Sequence, residues 1–346
     1  MKRIKVGIVG GTGYTGGELL RLLIQHPEIE IAAVTSRRKV GKYISRTHPN
    51  LRKFTDLRFI SPEDIPNTDV LFLGLPHGTV QPKVDEYINS TNLLIDLSSD
   101  FRLKNPTDYI EYYKHEHLRP DLLKSFVYGM PEINREKIAN SKLISIPGCT
   151  ATGAILPLIP IVSSFDISHI IIDAKVGSSA SGAKHGPGTH HPERHGVVRS
   201  FKPSGHRHLA EMNQELNPKG DLSLNFSPHA VELVRGIQST IHVFFKYDYE
   251  EKDIWGEFLK RYKDEPFIRL VREKSGGYRY PEPKVVMGTN ICEIGFEKDN
   301  NTKRLVIMSA IDNLMKGASG QAVQCMNIAL GFDESTGINQ LGFHPI

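Results

Sequence analysis

The sequence predicts an α/β protein in two parts: an N-terminal, doubly wound parallel sheet, and then an α+β domain with a mixed sheet. Up to about residue 148, short apolar segments alternate with helical stretches. That alternation is typical of right-handed βαβ units and a parallel sheet. Beyond residue 150 the apolar segments lengthen and wide loops separate them, which favours mixed or antiparallel strand pairing.

The first part has the order of elements expected of a Rossmann-type domain. A buried strand at residues 4–9 runs into a glycine-rich turn, and the helix that follows, at residues 17–24, stops at His26-Pro27. The pattern predicts four further strands, at residues 29–36, 69–75, 93–97 and 143–146. We therefore place a Rossmann domain at residues 1–148.

The second part, residues 149–312, is predicted to be a separate domain. Its apolar segments predict strands at residues 169–176, 236–245, 291–296 and 304–310. A helix is predicted from Asn313 onward, with Gly331 as its C-terminal stop.

Composition narrows the class of protein. Of the 346 residues, 39% are hydrophobic and 24% are charged, as in ordinary globular proteins. A net charge of +4 is too small to predict nucleic-acid binding. The three cysteines form no paired framework, and no apolar segment has the length of a signal peptide or a membrane span. We expect a reduced, cytoplasmic protein with no membrane contact.

The turn after the first strand is a candidate nucleotide site. Residues 11–16 (GTGYTG) satisfy the GxGxxG pattern between a strand and a helix, which is the context that a dinucleotide-binding turn requires. Glycines there bring the helix N-terminus to the pyrophosphate, although an ordinary tight turn would show the same spacing. The candidate cofactor-binding residues are Gly10, Gly11, Thr12, Gly13, Tyr14, Thr15 and Gly16.

The end of the second strand indicates which dinucleotide binds. An NAD site usually places a carboxylate there for the ribose hydroxyls, whereas this chain has Ser36, Arg37 and Arg38. Because guanidinium groups bind phosphate in a forked geometry, we predict NADP rather than NAD. A solvated basic loop is the alternative.

Cys149 is the candidate nucleophile. It follows Pro147-Gly148 and precedes a predicted helix at residues 151–162, and the positive end of a helix dipole favours a thiolate. Most free cysteines are core residues instead, and we expect that of Cys292 and Cys325. A thiol in a chain with a dinucleotide turn predicts a thioester reduced by hydride, assisted by a histidine acid.

Residues 176–210 combine glycine with dense positive charge and contain a single acid, Glu193. Such a segment suits anion binding, and a solvated basic loop is the alternative. No metal is predicted, because HExxH and paired cysteines are both absent. The basic residues are His185, His190, His191, His195, His206 and His208 together with Lys184, Arg194, Arg199, Lys202 and Arg207.

Five motifs, in order along the whole chain, resemble those of one enzyme family. They are GGTGYTGGELLRLL, PGC before Thr150-Ala151-Thr152, GSSASGA, GHRH before Leu209-Ala210-Glu211, and DNLMKGASGQAVQ. The family is that of the N-acetyl-γ-glutamyl-phosphate reductases. The resemblance implies NADPH-dependent reduction of an acyl phosphate to a semialdehyde, with Cys149 as the nucleophile.

The same resemblance implies roles for further residues. The family's acid/base histidine lies in GHRH, which implies His208, with His206 as a substrate-contacting neighbour or the alternative acid/base. The terminal motif is expected to close over the nicotinamide, so that a helix within residues 313–346 packs back on the Rossmann domain. The implied cofactor contacts are Asn313, Lys316 and Gly317, and the candidate substrate-binding residues are Ser179, Lys184, Arg199, His206 and Arg207.

Two departures indicate a branch of the family. Arginine-pathway members usually carry an aromatic residue after the cysteine, where this chain has Thr150. Residues 190–205 look more like the lysine-biosynthesis branch, whose members reduce α-aminoadipyl phosphate attached to a small acidic amino-group carrier protein. Archaeal members of that branch also accept carrier-linked glutamyl phosphate. A cationic segment of this density would suit an acidic protein partner.

The alternatives left open are an N-acetyl-γ-glutamyl-phosphate reductase of arginine biosynthesis, an aspartate-semialdehyde dehydrogenase and a non-catalytic, NADP-sensing regulator. The resemblance implies a homo-oligomer, a dimer or a tetramer. The sequence does not rank the three acyl-phosphate substrates. It also does not separate the basic residues that dock a carrier from those that bind phosphate.

Overall fold

The structure, a computed structural model, describes residues 3–345, and the chain divides into two compact units. Unit 1 comprises the chain up to residue 147 with residues 182–184 and 318–339. Unit 2 comprises residues 148–181, 185–317 and the chain from residue 340 onward.

The regular elements alternate as predicted in the first half of the chain. The strands are β1 Ile4–Val9, β2 Ile29–Val34, β3 Thr68–Leu73, β4 Thr91–Asp96, β5 Val127–Tyr128, β6 Leu143–Ser145, β7 Ile167–Val176, β8 Val198–Ser200, β9 Ser223–Val231, β10 Ile237–Phe245, β11 Ile268–Leu270, β12 Cys292–Lys298 and β13 Arg304–Ile311. The α-helices are α1 Tyr14–Leu23, α2 Val84–Asn89, α3 Pro106–Asp108, α4 Pro131–Ala139, α5 Cys149–Val162, α6 His191–Arg194, α7 His208–Leu216, α8 Glu251–Tyr262, α9 Pro283–Val286 and α10 Gly320–Leu330.

Unit 1 contains a six-stranded sheet in the order β2-β1-β3-β4-β6-β5, and every strand pair is parallel. The chain adds β2 on one side of β1 and β3 on the other, so the winding direction reverses between β1 and β3. In doubly wound sheets, ligands bind at the carboxyl ends of the strands beside such a reversal. The predicted parallel sheet is confirmed, and the glycine-rich turn lies at this position.

Unit 2 contains a seven-stranded mixed sheet in the order β11-β12-β13-β10-β7-β9-β8, which confirms the predicted mixed pairing. One face of this sheet packs on α5, whose side chains are buried along nearly its whole length. A helix that is apolar all round is typical of a protein interior. On the opposite face Ile171 is 39% exposed.

The last long helix belongs to unit 1 and packs against α1 and α4. The Ser319 hydroxyl donates to the carbonyl of Thr15 at 3.0 Å, and His26 Nε2 lies 3.0 Å from Asn327 Oδ1. Gly331, in the left-handed region with φ of 74°, ends the helix as predicted.

The predicted start of that helix at Asn313 was wrong. The α-helical turns begin at Gly320, and a π-helical turn over Met315–Ser319 precedes them. Asp312 explains the difference, because its carboxylate accepts the backbone N–H of Leu314 at 2.8 Å and its carbonyl accepts that of Gly317 at 3.0 Å. These bonds stabilise the π-helical turn in place of an α-helical one. Among residues 3–345, no helix is both long enough and apolar enough to cross a bilayer.

Asp96, at the carboxyl end of β4, is a buried carboxyl that predicts a pH dependence of stability. Burial, and then the nearby charge of Asp100, raise its pKa from 3.8 to about 7. The unfolded carboxyl ionises near 3.8, so the free energy of unfolding falls as pH rises from about 4 to about 7. Ionising the buried group costs at most about 4 kcal/mol.

We therefore expect Asp96→Asn to increase the free energy of unfolding at pH 8 and to flatten its decline between pH 5 and pH 8. The amide oxygen of asparagine still accepts the Ser98 N–H, and its NH2 group donates to the Ser98 hydroxyl. Urea unfolding of both proteins across that range measures the effect. Parallel pH curves for the two proteins would contradict the assignment.

Candidate active site

In the glycine-rich turn of unit 1, close packing requires glycine at three positions, whereas a fourth glycine has open space beside it. Gly10 has φ of 87°, and an added Cβ would lie 2.4 Å from the carbonyl oxygen of Gly74. At Gly11 an added Cβ would lie 2.2 Å from Val34 Cγ1, and at Gly16 it would lie 2.7 Å from the Gly10 carbonyl oxygen. At Gly13 the nearest atom would be 3.8 Å away. The surface over Gly13 is therefore open to a ligand.

The first turn of α1 presents backbone donors beside this opening. Gly13 is the N-cap residue, and no side chain caps the helix. Such an end combines unpaired N–H groups with the positive end of the helix dipole, which suits a pyrophosphate. Tyr14 is exposed, while Thr12 and Thr15 are partly buried at the same end.

His48 supports this turn, and the sequence analysis did not identify it. Its Nε2 lies 2.7 Å from the carbonyl oxygen of Gly11. The ring packs on α1 at Gly17, where an added Cβ would lie 2.5 Å from the imidazole. Burial is the main cause that lowers the pKa of His48. A neutral imidazole that donates to Gly11 fits these contacts.

In the basic turn after β2, the two arginines have different surroundings. The Ser36 hydroxyl accepts the backbone N–H groups of Arg38 at 3.3 Å and Lys39 at 3.1 Å, so Ser36 shapes the turn from within. Arg37 lies close enough to Glu63 for its charge to act on that carboxylate. The guanidinium of Arg38 is exposed and has no partner among residues 3–345. The Arg38 side chain is thus exposed without an ion-pair partner among these residues.

In unit 2, Cys149 is the first residue of α5, and its side chain is partly exposed. Gly148 is the N-cap residue, and no side chain caps the helix, so the thiol lies beside the backbone N–H groups of the first helical turn. This position favours a thiolate nucleophile. Cys292 and Cys325 are fully buried, which confirms their prediction as core residues.

A buried carboxylate, Glu211, connects the nucleophile to the histidine motif. Its Oε2 accepts the backbone N–H of Gly148 at 2.8 Å, and its Oε1 lies 3.9 Å from His208 Nε2. The Thr150 hydroxyl is hydrogen-bonded to His208 Nδ1. His208, on the first turn of α7, thus lies beside the residues that flank Cys149. Glu211 follows His208 by three residues on one helix, a spacing that could have identified it from the sequence.

Two glycines leave the space that this cluster needs. An added Cβ at Gly148 would lie 2.5 Å from His208 Nε2 and 2.8 Å from Glu211 Oε1. An added Cβ at Gly317 would lie 2.7 Å from Cys149 Cβ. Gly317 therefore packs directly on the nucleophile.

His206 differs from His208 in environment. Its Nδ1 accepts the backbone N–H of His208 at 3.2 Å, and its ring packs edge-on against Phe226. Burial, and then the charges of Arg207 and Lys202, lower its pKa to about 4. A histidine that stays neutral at physiological pH and accepts a backbone N–H is a poor proton donor. His208, in contrast, contacts Thr150 and lies against Gly148.

Three of the residues predicted to contact ligands are buried in unit 2 and contact protein groups there. Asn313 Oδ1 accepts the backbone N–H of Gly236 at 2.7 Å, and its Nδ2 donates to the Ser179 hydroxyl at 2.9 Å. Lys316 is fully buried, with its ammonium 5.7 Å from the centre of the Phe267 ring. Substrate contact by Ser179 and cofactor contact by Asn313 and Lys316 stay predictions. Residue spacing does not reveal which polar side chains become buried.

The basic segment in unit 2 forms a concave surface that encloses a volume of about 750 Å³. Residues 185–191, Glu193 and Arg199 line it. Arg199 donates to the carbonyl oxygen of Glu193 at 3.0 Å, and Arg194 donates to that of Val176 at 2.8 Å, so both arginines hold the segment. Lys202 and Arg207 are exposed beyond it, and Lys184 is exposed in the short stretch grouped with unit 1. Within residues 3–345, no cluster of three or more potential metal ligands occurs.

Family comparisons match both parts of the chain. The family model described as "Semialdehyde dehydrogenase, NAD binding domain" matches residues 5–141. The model described as "Semialdehyde dehydrogenase, dimerisation domain" matches residues 149–313 and so begins at Cys149.

Curated relatives match over the whole length. A putative (LysW)-L-2-aminoadipate 6-phosphate reductase of Thermomicrobium roseum is 51% identical, with 99% of each chain covered. A (LysW)-L-2-aminoadipate/(LysW)-L-glutamate phosphate reductase of Saccharolobus solfataricus is 45% identical, again with 99% of each covered.

Among solved structures, aspartate semialdehyde dehydrogenase II of Vibrio cholerae has a TM-score of 0.71 at 17% identity, covering 96% of this chain and 99% of that one. The enzyme of Candida albicans, solved with NADP, has a TM-score of 0.66 at 17% identity, covering 94% and 98%. At such low identity the likeness shows a shared fold.

Proposed function

This chain belongs to the semialdehyde dehydrogenase family, and from that premise we propose that it reduces an acyl phosphate to a semialdehyde with NADPH, the acyl group being linked to an amino-group carrier protein of the LysW kind. The single observation that carries the proposal is the cluster of Cys149, His208 and Glu211. The names of relatives 45–51% identical support the substrate. Their agreement with the motif-based resemblance confirms the branch that the sequence predicted.

The chemistry assigned to unit 2 is acyl transfer to sulfur. The Cys149 thiolate attacks the carbonyl carbon of the acyl phosphate, the C–O bond to phosphate breaks, and inorganic phosphate leaves with that electron pair. The thioester then accepts a hydride at its carbonyl carbon. Collapse of the tetrahedral adduct re-forms the C=O bond and expels the thiolate. His208 supplies and recovers the proton that accompanies these charge changes.

Three features of unit 1 support an NADP site: the open surface over Gly13, the uncapped N-terminus of α1, and the Ser36–Arg38 turn. When bound, the dinucleotide supplies the hydride. Its pyrophosphate would lie on the first turn of α1, and the Arg38 guanidinium would hold the 2′-phosphate. A carboxylate that would repel this phosphate is absent from residues 35–39.

Exchanging Arg38 is expected to change cofactor preference. Arg38→Ala should lower kcat/KM for NADPH about 10- to 100-fold and leave kcat/KM for NADH nearly unchanged, since one charge-assisted phosphate contact contributes about 1.5–3 kcal/mol. Arg37→Ala is the matched control, because Arg37 lies beside Glu63. An equal loss with both nucleotides in Arg38→Ala would contradict this assignment.

The substrate assignment is tested by measuring turnover with carrier-linked aminoadipyl phosphate, carrier-linked glutamyl phosphate, N-acetylglutamyl phosphate and aspartyl phosphate. We expect the two carrier-linked substrates to have the highest kcat/KM. Preference for N-acetylglutamyl phosphate would indicate the arginine-pathway enzyme, and preference for aspartyl phosphate an aspartate-semialdehyde dehydrogenase. No turnover with intact NADP binding would favour a regulator.

The basic concave surface and the exposed Lys202 beyond it support docking of an acidic carrier. We expect Lys202→Glu to raise KM for a carrier-linked acyl phosphate at least about 10-fold at low salt, with a smaller effect in about 0.5 M salt because ions screen the exposed charge. Lys252→Glu, an exposed lysine on α8, controls for net charge. Equal effects of both variants would contradict docking here.

The uncovered face of the seven-stranded sheet supports a homo-oligomer. Ile171 is 39% exposed on it, and Phe244, Val306 and Met308 are half-buried beside it. A second copy of this chain would cover these side chains. Light scattering of the wild type should give a dimer or a tetramer, and Ile171→Lys should shift it toward monomer. A monomeric wild type would refute this.

A further inference from the structure

Thr150, the residue at the position where arginine-pathway members usually carry an aromatic residue, is buried together with the two residues after it. Thr150 is 4% exposed, and Ala151 and Thr152 are fully buried. All three belong to the first turn of α5. A direct contact with the distinctive part of a substrate therefore does not explain this sequence difference.

Thr150 instead contacts the acid/base histidine, because its hydroxyl is hydrogen-bonded to His208 Nδ1. The opposite edge of the ring, Nε2, lies over Gly148 and 3.9 Å from Glu211 Oε1. The His206 ring meets His208 edge-on, with ring centroids 4.8 Å apart. Each ring nitrogen thus has its own neighbour, and only one of those neighbours is a hydroxyl.

A hydroxyl suits a histidine that changes protonation during catalysis. Its oxygen accepts from Nδ1–H in both the neutral and the cationic ring, because a hydroxyl oxygen carries lone pairs. In the neutral state this bond keeps the remaining proton on Nδ1, so Nε2 is the nitrogen that gains and loses a proton. Nε2 is also the nitrogen beside Gly148, the residue before the nucleophile.

We propose that Thr150 is a positioning residue that orients the His208 ring and holds a proton on Nδ1, so that Nε2 is the nitrogen that exchanges protons beside Cys149. The proposal rests on the proposed function for its kinetic consequence, whereas the orientation itself does not depend on any substrate. An aromatic residue at position 150 would lack the aliphatic hydroxyl that makes this bond. Chains with threonine and chains with an aromatic residue at this position then differ in the contact that orients the histidine.

Thr150→Val and Thr150→Ser form the decisive pair. Valine keeps the shape and removes the hydroxyl, whereas serine keeps the hydroxyl and removes a methyl group. We expect Thr150→Val to lower kcat about 10- to 100-fold, which is less than the full contribution that general acid–base catalysis usually makes. KM should stay within about 2-fold of wild type. Thr150→Ser should stay within about 3-fold of wild type in both constants.

Thr289→Val controls for the loss of a buried, hydrogen-bonded hydroxyl in unit 2. Thr289 is 2% exposed, donates to the Val286 carbonyl at 2.8 Å and lies outside the active-site cluster. Its kcat should match wild type, while its thermal unfolding midpoint should fall about as much as that of Thr150→Val. Thermal midpoints thereby separate loss of folding from loss of function.

A measurement without substrate tests the orientation directly. In protein labelled with ¹⁵N-histidine, with His208 assigned through His208→Gln, the ring nitrogen shifts report which nitrogen carries the proton. We expect the Nδ1–H form in wild type and Thr150→Ser, and a mixture of tautomers in Thr150→Val. Unchanged shifts in Thr150→Val would overturn the proposal, as would an unchanged kcat in an otherwise active enzyme. If wild type reduces no acyl phosphate, the proposed function fails, and the shifts still decide the role of Thr150.

Discussion

Replacing Cys149 by serine is expected to reduce turnover at least about 10³-fold while leaving the fold intact. The serine hydroxyl stays protonated at neutral pH and is a far weaker nucleophile than a thiolate at the N-terminus of a helix. The side chain is partly exposed, so exchanging sulfur for oxygen disturbs little packing. Steady-state oxidation of NADPH with a carrier-linked acyl phosphate measures the loss, and circular dichroism checks the fold.

Cys325→Ala is the matched control for this prediction. Cys325 is fully buried on α10, where its thiol lies 3.4 Å from the carbonyl oxygen of Gly129, and it takes no part in the proposed chemistry. It should lower the unfolding temperature yet keep the activity of the folded protein. A Cys149→Ser enzyme that retains more than about a tenth of wild-type activity would refute covalent catalysis.

Gly148→Ala is expected to produce the second largest loss, at least about 100-fold in kcat. The backbone at Gly148 has φ of −68° and ψ of 143°, which any L-residue adopts. The effect therefore comes from steric overlap of the new methyl group and not from backbone strain. The new methyl group would lie 2.5 Å from His208 Nε2 and 2.8 Å from Glu211 Oε1. Both groups must move, and displacements of about 1 Å in a reacting geometry cost about 100-fold.

The control is Gly256→Ala on α8, where an added Cβ meets no atom within 4 Å. It should keep full activity and gain up to about 1 kcal/mol in the free energy of unfolding, as alanine favours a helix. If Gly148→Ala were as active as Gly256→Ala, the position of His208 beside the nucleophile would be wrong.

The sequence predicted the elements that local patterns determine. Strand β1, the glycine turn and α1 follow one another within residues 4–23, and each has its own signal in composition and period. The same holds for Cys149 at the start of a helix. Such features depend on neighbours in the chain, so a single sequence suffices to identify them.

Features that depend on distant partners were missed. Strand β9 contains Pro228 and His229, which argue against a strand, yet it pairs in parallel with β7 and buries alternate residues there. The burial of Asn313 and Lys316 was missed for a related reason, since both side chains contact residues far away in sequence. The role of Thr150 likewise required the position of His208, 58 residues further along the chain.

The most direct test of covalent catalysis is a single-turnover experiment without NADPH. Enzyme and carrier-linked aminoadipyl phosphate are mixed at comparable concentrations, released phosphate is quantified, and the protein is weighed by mass spectrometry. We predict rapid release of about one phosphate per active site, a matching acyl adduct on Cys149, and its conversion to the semialdehyde when NADPH is added. Phosphate released only after NADPH addition, with no adduct on Cys149, would contradict the proposed mechanism.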